Sequence, residues 1–139
     1  MIEFFAENLE IDFEKLKQVE PVIRTILSDY EYKLNYVNVV LLSDEELLAI
    51  NNEFLNHDYY TDIITFNYAT EPKSIESELY ISMDRVKENA ESQRVDQYNE
   101  LFRIIIHGTL HLVGYEDNTH ELKEKMSFME NKYLKACFT

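Results

Sequence analysis

The chain has 139 residues, of which 45% are hydrophobic, 13% aromatic and 29% charged, with two glycines and two prolines. This is the length of one ordinary domain, and the composition excludes a disordered or fibrous protein, so we expect one globular domain spanning residues 1–139. The formal net charge of −14 argues against a broad, nonspecific hold on nucleic acid.

Strand and helix patterns alternate along the chain. Alternating or β-branched apolar runs predict strands at residues 1–5, 35–42, 62–68 and 78–82, with Pro72 and Ser74 marking a turn or loop before the last one. Apolar side chains at helical spacing predict a helix from residue 12 to about 32, one that follows residue 43 and includes residue 54, one from 83 to about 95, one at 98–113, and a last one that follows residue 118 or 119 and includes residue 134. The fold class is therefore α+β, a single layered domain with about four mixed strands and four to five helices.

Several helix boundaries have sequence signals. Ser43 and Glu46 form the pattern of a capping box, and the inward face of the helix that follows is predicted to carry Leu47, Ile50 and Phe54. The helix at residues 98–113 is apolar on most sides, which predicts a buried helix, and Gly114 is expected to end it. Asn118 or Thr119 is expected to cap the last helix.

The sequence has no signal of secretion or membrane insertion. Its single cysteine, Cys137, cannot form an internal disulfide, and acidic residues interrupt every apolar run near the N-terminus. A signal peptide would need a basic start and an apolar stretch of about 7–15 residues, and a membrane span would need ~20 apolar residues. We expect a cytoplasmic protein with no membrane partner.

The charge is uneven along the chain. Residues 98–139 carry six acids and five bases, a net charge of −1, which leaves −13 of the total of −14 on residues 1–97. An RNA-facing side is not excluded in the C-terminal part. For its lysines we favour a solvated helix face paired with Glu121 and Glu124; these lysines are Lys123, Lys125, Lys132 and Lys135.

The most informative segment is HGTLHLVGYED at residues 107–117. His107 and His111 are four residues apart on a helix, so both imidazoles project from one face and can chelate one zinc ion, as on the metal-binding helix of zincins. Gly114 lets the chain turn back, and the residue three positions later, Asp117, can then approach the same metal. Three protein ligands leave a fourth position open for water, which is typical of a hydrolytic zinc site.

The alternative interpretation is a pair of core histidines that are hydrogen-bonded to neighbours. Two imidazoles in one apolar helix need polar partners, and a metal supplies one. Gly108 occupies the position where H-E-x-x-H peptidases carry their glutamate base, so a metallopeptidase is disfavoured. A glycine in mid-helix costs about 1 kcal/mol relative to alanine, which predicts that another chain segment approaches Gly108 closely.

The segment from His107 to Tyr115 resembles the signature H-G-x-L-H-L-x-G-Y-D-H of the YbeY family of bacterial endoribonucleases and ribosome-maturation factors. Residues 61–66 (TDIITF) resemble an upstream segment of that family, and residues 78–82 (ELYIS) stand where it has a Gly-Asp-Ile-x-Ile strand. Residues 126–133 resemble its closing helix. The likeness covers roughly residues 35–135.

This resemblance implies a domain with one zinc ion per chain that cuts single-stranded RNA in the cytoplasm. It also implies 16S rRNA 3′-end maturation and ribosome quality control, with RNA, small-subunit ribosomal RNA and the ribosome as partners and no DNA. The competing reading is a zinc-containing ribosome-assembly or RNA-binding factor with weak or no catalysis.

The sequence departs from the family pattern at several positions, among them Glu116, which stands in place of an aspartate. The third histidine of the family is Asp117 here, so we expect His107, His111 and Asp117 as ligands, with His120 or Glu116 as alternatives for the third. The arginine of the family's upstream segment is replaced by Leu55, which cannot contact a phosphate. This replacement favours the hypothesis of a ribosome-assembly or RNA-binding factor with weak or no catalysis. The proline of that segment is Tyr60. The general base is not identified by the sequence, and Glu116 is a candidate only by proximity.

Overall fold

A computed structural model of the chain describes residues 1–7 and 9–138. The strands are β1 (Ile2–Phe5), β2 (Lys33–Leu42), β3 (Ile63–Asn67) and β4 (Ser74–Ser82). The helices are α1 (Phe13–Leu16), α2 (Glu20–Asp29), α3 (Asp44–Leu55), α4 (Met83–Gln93), α5 (Gln97–Leu112) and α6 (His120–Ala136). A 3₁₀ turn, Lys17–Val19, joins α1 to α2.

The four strands form one mixed sheet in the order β1-β2-β4-β3. β1 and β4 run parallel to β2, while β3 is an edge strand antiparallel to β4. Alternate residues of β2, namely Val37, Val39 and Leu41, are fully buried, which is the pattern of a sheet with one face against a core. The predicted α+β class with a mixed four-stranded sheet is confirmed.

Helix α5 is the central helix of the core. It packs against α2, α4 and α6 and against the sheet at β3 and β4. Its apolar residues are buried nearly all round, as the sequence predicts; they include Leu101, Phe102, Ile105, Ile106 and Leu110. Because α5 crosses the sheet beside its edge strand, polar residues on its remaining face reach the surface next to β3. In residues 1–7 and 9–138, no helix combines the length and apolar character that a membrane-spanning segment requires.

Two elements, the first helix and β4, differ from the sequence prediction. The first helix is broken, and Pro21 lies in the first turn of α2, where its missing amide hydrogen costs nothing. Ser74 is the first residue of β4 and does not lie in a turn. The inner face of the first half of β4 carries Ser77, whose hydroxyl donates to the Phe66 carbonyl at 2.7 Å. Because this inward residue is polar, a strand pattern based on apolar residues does not detect the first half of β4.

Helix α3 begins at the predicted capping box of Ser43 and Glu46. Its inward face is different from the prediction, because Leu47 and Asn51 are its buried residues while Phe54 is 64% exposed. A buried asparagine requires hydrogen-bond partners. Those partners lie in the loop after α3, which forms one wall of the candidate site.

Candidate metal centre

Two histidines on α5 present their rings at the protein surface next to β3. His107 and His111 lie one turn apart, and their ring centroids are 4.6 Å apart. The helix approaches the sheet closely at this point, because a Cβ atom at Gly108 would lie 2.7 Å from Cδ1 of Ile63 and 3.4 Å from Oγ1 of Thr65. The predicted close approach at Gly108 is therefore confirmed, and it brings the histidine face of α5 against β3.

The turn after α5 brings a carboxylate to the two imidazoles. Gly114 has φ of +103°, a left-handed conformation that favours glycine, and it follows the predicted helix end directly. The chain reverses there, and Oδ2 of Asp117 lies 3.4 Å from Nε2 of His107 and 3.7 Å from Nε2 of His111. The three residues form a cluster whose ligand atoms all lie within 4.8 Å of one another.

Hydrogen bonds at the other ring nitrogens set the direction of both imidazoles. Nδ1 of His111 is 2.8 Å from the Tyr115 carbonyl, which can only accept, so Nδ1 carries the proton. Nδ1 of His107 is 2.6 Å from Oε2 of Glu130, whose other oxygen lies 3.3 Å from a guanidinium nitrogen of Arg103. In the neutral rings, both Nε2 atoms therefore carry lone pairs that point into the cluster.

The donor set fits a zinc ion. The two Nε2 atoms are 3.0 Å apart, and with Asp117 they place three electron-pair donors around one point. Tetrahedral zinc ligands at about 2.0–2.1 Å from the ion lie roughly 3.3 Å from one another, and the observed separations of 3.0, 3.4 and 3.7 Å bracket that value. Converging lone pairs and a carboxylate repel unless a cation or a proton lies between them, so the set favours cation binding.

In the absence of a metal, the pKa of His107 lies above its usual value of 6.5. Burial of the ring lowers this pKa, but the hydrogen bond and charge of Glu130, with smaller contributions from Asp117 and Asp62, raise it by more. The same negative charges that favour the imidazolium form will favour a bound cation. Protons and metal ions therefore compete for this cluster.

The cluster forms one wall of an open cleft of about 390 Å³. The other wall comes from the end of α3, the following loop and β3, and includes Asn51, Leu55, His57, Tyr59 and Asp62. Leu55 is 40% exposed, so the residue at the position of the family's arginine faces the cleft and is not part of the core. An open cleft beside the donor cluster gives space for an extended substrate.

The other residues suggested by the sequence lie outside this cleft. Glu116 is exposed and lines a separate depression with Tyr30 and Lys125, and it is not among the residues that line the cleft. The His120 side chain is 88% exposed, and its Nε2 is 3.0 Å from Glu124. Of the three alternatives for a third ligand, the structure brings Asp117 to the two histidines.

The lysines of α6 do not form the ion pairs expected from the sequence. Within residues 1–7 and 9–138, none of them pairs with Glu121 or Glu124. Lys125 instead lies over the ring of Tyr115 at 5.6 Å and Lys132 over that of Tyr133 at 5.2 Å. Neither lysine is among the residues that line the cleft.

Sequence reasoning missed Glu130, Arg103 and Asp62. Glu130 is 8% exposed on the buried face of α6, four residues after Met126 and four before Leu134, and an acid in such an apolar stripe is a usable signal for a buried polar contact. Arg103 stands four residues before His107 and thus on the same side of α5. Asp62 had no signal of this kind beyond its place in the family-like segment.

The whole chain matches a known family. Residues 1–137 match the family model described as endoribonuclease YbeY. The endoribonuclease YbeY of Cytophaga hutchinsonii is 41% identical over 131 residues, which are 94% of this chain and 92% of that protein. The protein of the same name from Parabacteroides distasonis is 41% identical over 133 residues, 96% of this chain and 93% of that protein.

A solved structure shows the same fold. The solution structure of TM1509 from Thermotoga maritima matches with a TM-score of 0.70 and 27% identity, covering 99% of this chain and 89% of that one. The sequence match extends beyond residues 35–135, which carry the resemblance described above, to β1 and the first helices. With the family model matched over nearly all of its length, the chain belongs to the endoribonuclease YbeY family.

Proposed function

We propose that this chain, one domain of residues 1–139, is a cytoplasmic zinc-dependent endoribonuclease that cuts single-stranded RNA. We further propose that its substrate is the 3′ end of 16S rRNA and that it takes part in ribosome quality control. The observation that carries the activity is the convergence of His107, His111 and Asp117 in an open cleft, in a member of an endoribonuclease family. The RNA partners rest on the family alone.

The proposed roles follow from the donors in the cleft. His107 and His111 through Nε2, and Asp117 through Oδ2, would hold the zinc ion. When bound, zinc supplies a Lewis acid that polarises a phosphoryl oxygen and lowers the pKa of water to about 7. Asp62 is a carboxylate that lines the cleft beside these ligands. We therefore assign to Asp62, in place of Glu116, the role of the general base that accepts a proton from the attacking water.

The test of the activity is cleavage by the zinc-loaded wild-type protein. We expect about one zinc per chain by elemental analysis. We also expect the protein to cut a single-stranded RNA and to leave a duplex of the same sequence uncut. A chelator should abolish cleavage and added zinc should restore it, because the metal acts on the transition state. Full cleavage by metal-free protein would contradict the proposal, as would purified protein that contains no stoichiometric transition metal.

The test of the third ligand is a pair of substitutions. Asp117→Ala should weaken zinc affinity by roughly 100-fold or more, because the imidazoles alone give only two ligands. His120→Ala is the matched control and should leave affinity within about twofold, since its ring is exposed and pairs with Glu124. The measurement is competition with a chromogenic zinc chelator. A larger loss for His120→Ala than for Asp117→Ala would show that the ligand set is wrong.

A second candidate function is a ribosome-assembly factor whose zinc site has weak or no catalysis. It is favoured by one observation, the apolar side chain of Leu55 on the wall of the cleft, where a cationic residue would contact a phosphate. Zinc-loaded protein that binds small ribosomal subunits but never cuts RNA would support this function.

A further inference from the structure

The wall of the cleft opposite the cluster is a short loop that is fixed to α3. Asn56 ends the helix with φ of 54°, a left-handed conformation, and the chain reverses there. The carbonyl of Asn51 accepts a hydrogen bond from the His57 amide at 3.2 Å, and its side chain donates to the Tyr59 carbonyl at 2.8 Å. The buried asparagine of α3 therefore fixes the loop at two points, on either side of Asp58.

The side chain of His57 is oriented by its neighbour Tyr59. The two rings stack with centroids 5.0 Å apart and planes at 21°, and the Tyr59 hydroxyl lies 2.9 Å from Nδ1 of His57. A hydroxyl that donates to Nδ1 leaves the ring proton on Nε2. Within residues 1–7 and 9–138, Nε2 of His57 has no protein partner, so in the tautomer in which the Tyr59 hydroxyl donates, it offers an N–H donor to a ligand.

Three other side chains of this wall do not offer a free donor. Leu55 is apolar, the amide of Asn51 is used by Tyr59, and the Thr61 hydroxyl donates to the Ile63 carbonyl at 3.4 Å. The carboxylates in the cleft repel an anionic strand. A phosphate oxygen only accepts hydrogen bonds, so it needs an N–H or O–H group at the wall.

We propose that His57 contacts a phosphate of the RNA backbone through Nε2, in place of the cationic residue that Leu55 does not provide. This inference rests on the proposed endoribonuclease activity. Asn51 and Tyr59 are positioning residues for this contact: the first fixes the loop, and the second orients the ring. The ligand is a phosphodiester of a single strand that lies between this wall and the metal ligands on α5.

The primary test is His57→Ala in the zinc-loaded protein. We expect KM for a short single-stranded RNA to rise roughly tenfold with kcat within about threefold, and affinity for a fully 2′-O-methylated strand to fall by the same factor as KM rises. His57→Gln, whose amide retains a donor, should recover part of the affinity. The control is His120→Ala, another exposed histidine, which should change neither value.

Two further variants separate a phosphate contact from a structural role. Tyr59→Phe keeps the stacked ring but removes the hydroxyl, so it should weaken RNA affinity by about twofold to threefold. Leu55→Arg adds a cation to the same wall; because Leu55 is 40% exposed, the protein should stay folded and its RNA affinity should increase. In a Leu55→Arg background, His57→Ala should reduce RNA affinity by a smaller factor than it does in the wild-type protein.

Some outcomes would overturn the inference while leaving the proposed function intact. Wild-type protein that cuts RNA, with unchanged KM and affinity in His57→Ala, would exclude a phosphate contact at His57. A fall in zinc content in His57→Ala would make it a metal ligand instead, which also overturns the inference. Failure of the proposed function has a different signature, since the wild-type protein would then not cut RNA at all.

Discussion

His111→Ala should abolish RNA cleavage, with a loss of at least about 1000-fold in kcat/KM, while much of the RNA binding remains. The substitution removes one of three converging donors, so the remaining pair, Nε2 of His107 and Oδ2 of Asp117, 3.4 Å apart, can hold zinc only weakly. The metal acts on the transition state more than on the bound strand, so the loss should appear mainly in kcat. Initial rates and binding of the 2′-O-methylated strand measure the two effects separately.

The folded structure should survive this change. The His111 side chain is 31% exposed and its Nδ1 makes one hydrogen bond to the Tyr115 carbonyl, so we expect a loss of about 1 kcal/mol in the metal-free protein. Zinc should raise the thermal midpoint of the wild-type protein but not of His111→Ala, because only a folded state that binds the ligand is stabilised by it. Cleavage at the wild-type rate in a His107→Ala, His111→Ala double variant would indicate a contaminating nuclease.

The parts of the site that sequence predicted are those set by local chain geometry. His107 and His111 share a helix face because of their spacing, and the turn at Gly114 follows from the φ that only glycine adopts easily. Asp117 could be assigned because it lies three residues beyond that turn. Even the close approach at Gly108 was predictable, since a glycine in a buried helix requires a reason.

The parts that sequence did not predict depend on contacts between distant segments. Glu130 reaches Nδ1 of His107 across 23 positions of the chain, and only the packing of α6 on α5 brings them together. Asn51 was missed because the apolar spacing of α3 favoured Phe54 as an inward residue, whereas the loop carbonyl at Tyr59 requires a buried donor. Position in the fold, and not residue type, gives these side chains their roles.

Glu130→Ala should damage both the zinc site and the fold. The Glu130 side chain is 10% exposed and accepts from His107 at 2.6 Å and from Arg103 at 3.3 Å, so its removal leaves two partly buried donors without an acceptor. We expect a loss of about 2–3 kcal/mol in the free energy of unfolding, below the range for a fully buried pair because Arg103 is 26% exposed. Zinc affinity should fall by about 10- to 100-fold, as for other residues that orient a metal-binding histidine.

Glu130→Gln distinguishes orientation of the ring from general destabilisation. The amide oxygen still accepts from Nδ1 of His107, so most of the stability and part of the zinc affinity should return. Glu121→Ala is the control for net charge, since it removes one negative charge from an exposed position of the same helix. Zinc affinity in Glu130→Ala equal to that of Glu121→Ala would exclude an orienting role.

The metal-free protein should also show a pH dependence that requires Glu130. The pKa of His107 is raised above 6.5 in the folded state: burial lowers it, but the Glu130 carboxylate raises it by more. A raised pKa means that the ion pair of the imidazolium and Glu130 stabilises the fold fully below about pH 6.5, and that this contribution is lost as the pH rises through the folded pKa. Thermal unfolding of metal-free wild-type protein, measured from about pH 5.5 to 8.5, should show this decline. In Glu130→Gln the decline in stability should disappear, because the carboxylate no longer offsets the burial that lowers the pKa of His107. A decline of equal size in both proteins would mean that another group titrates in this range.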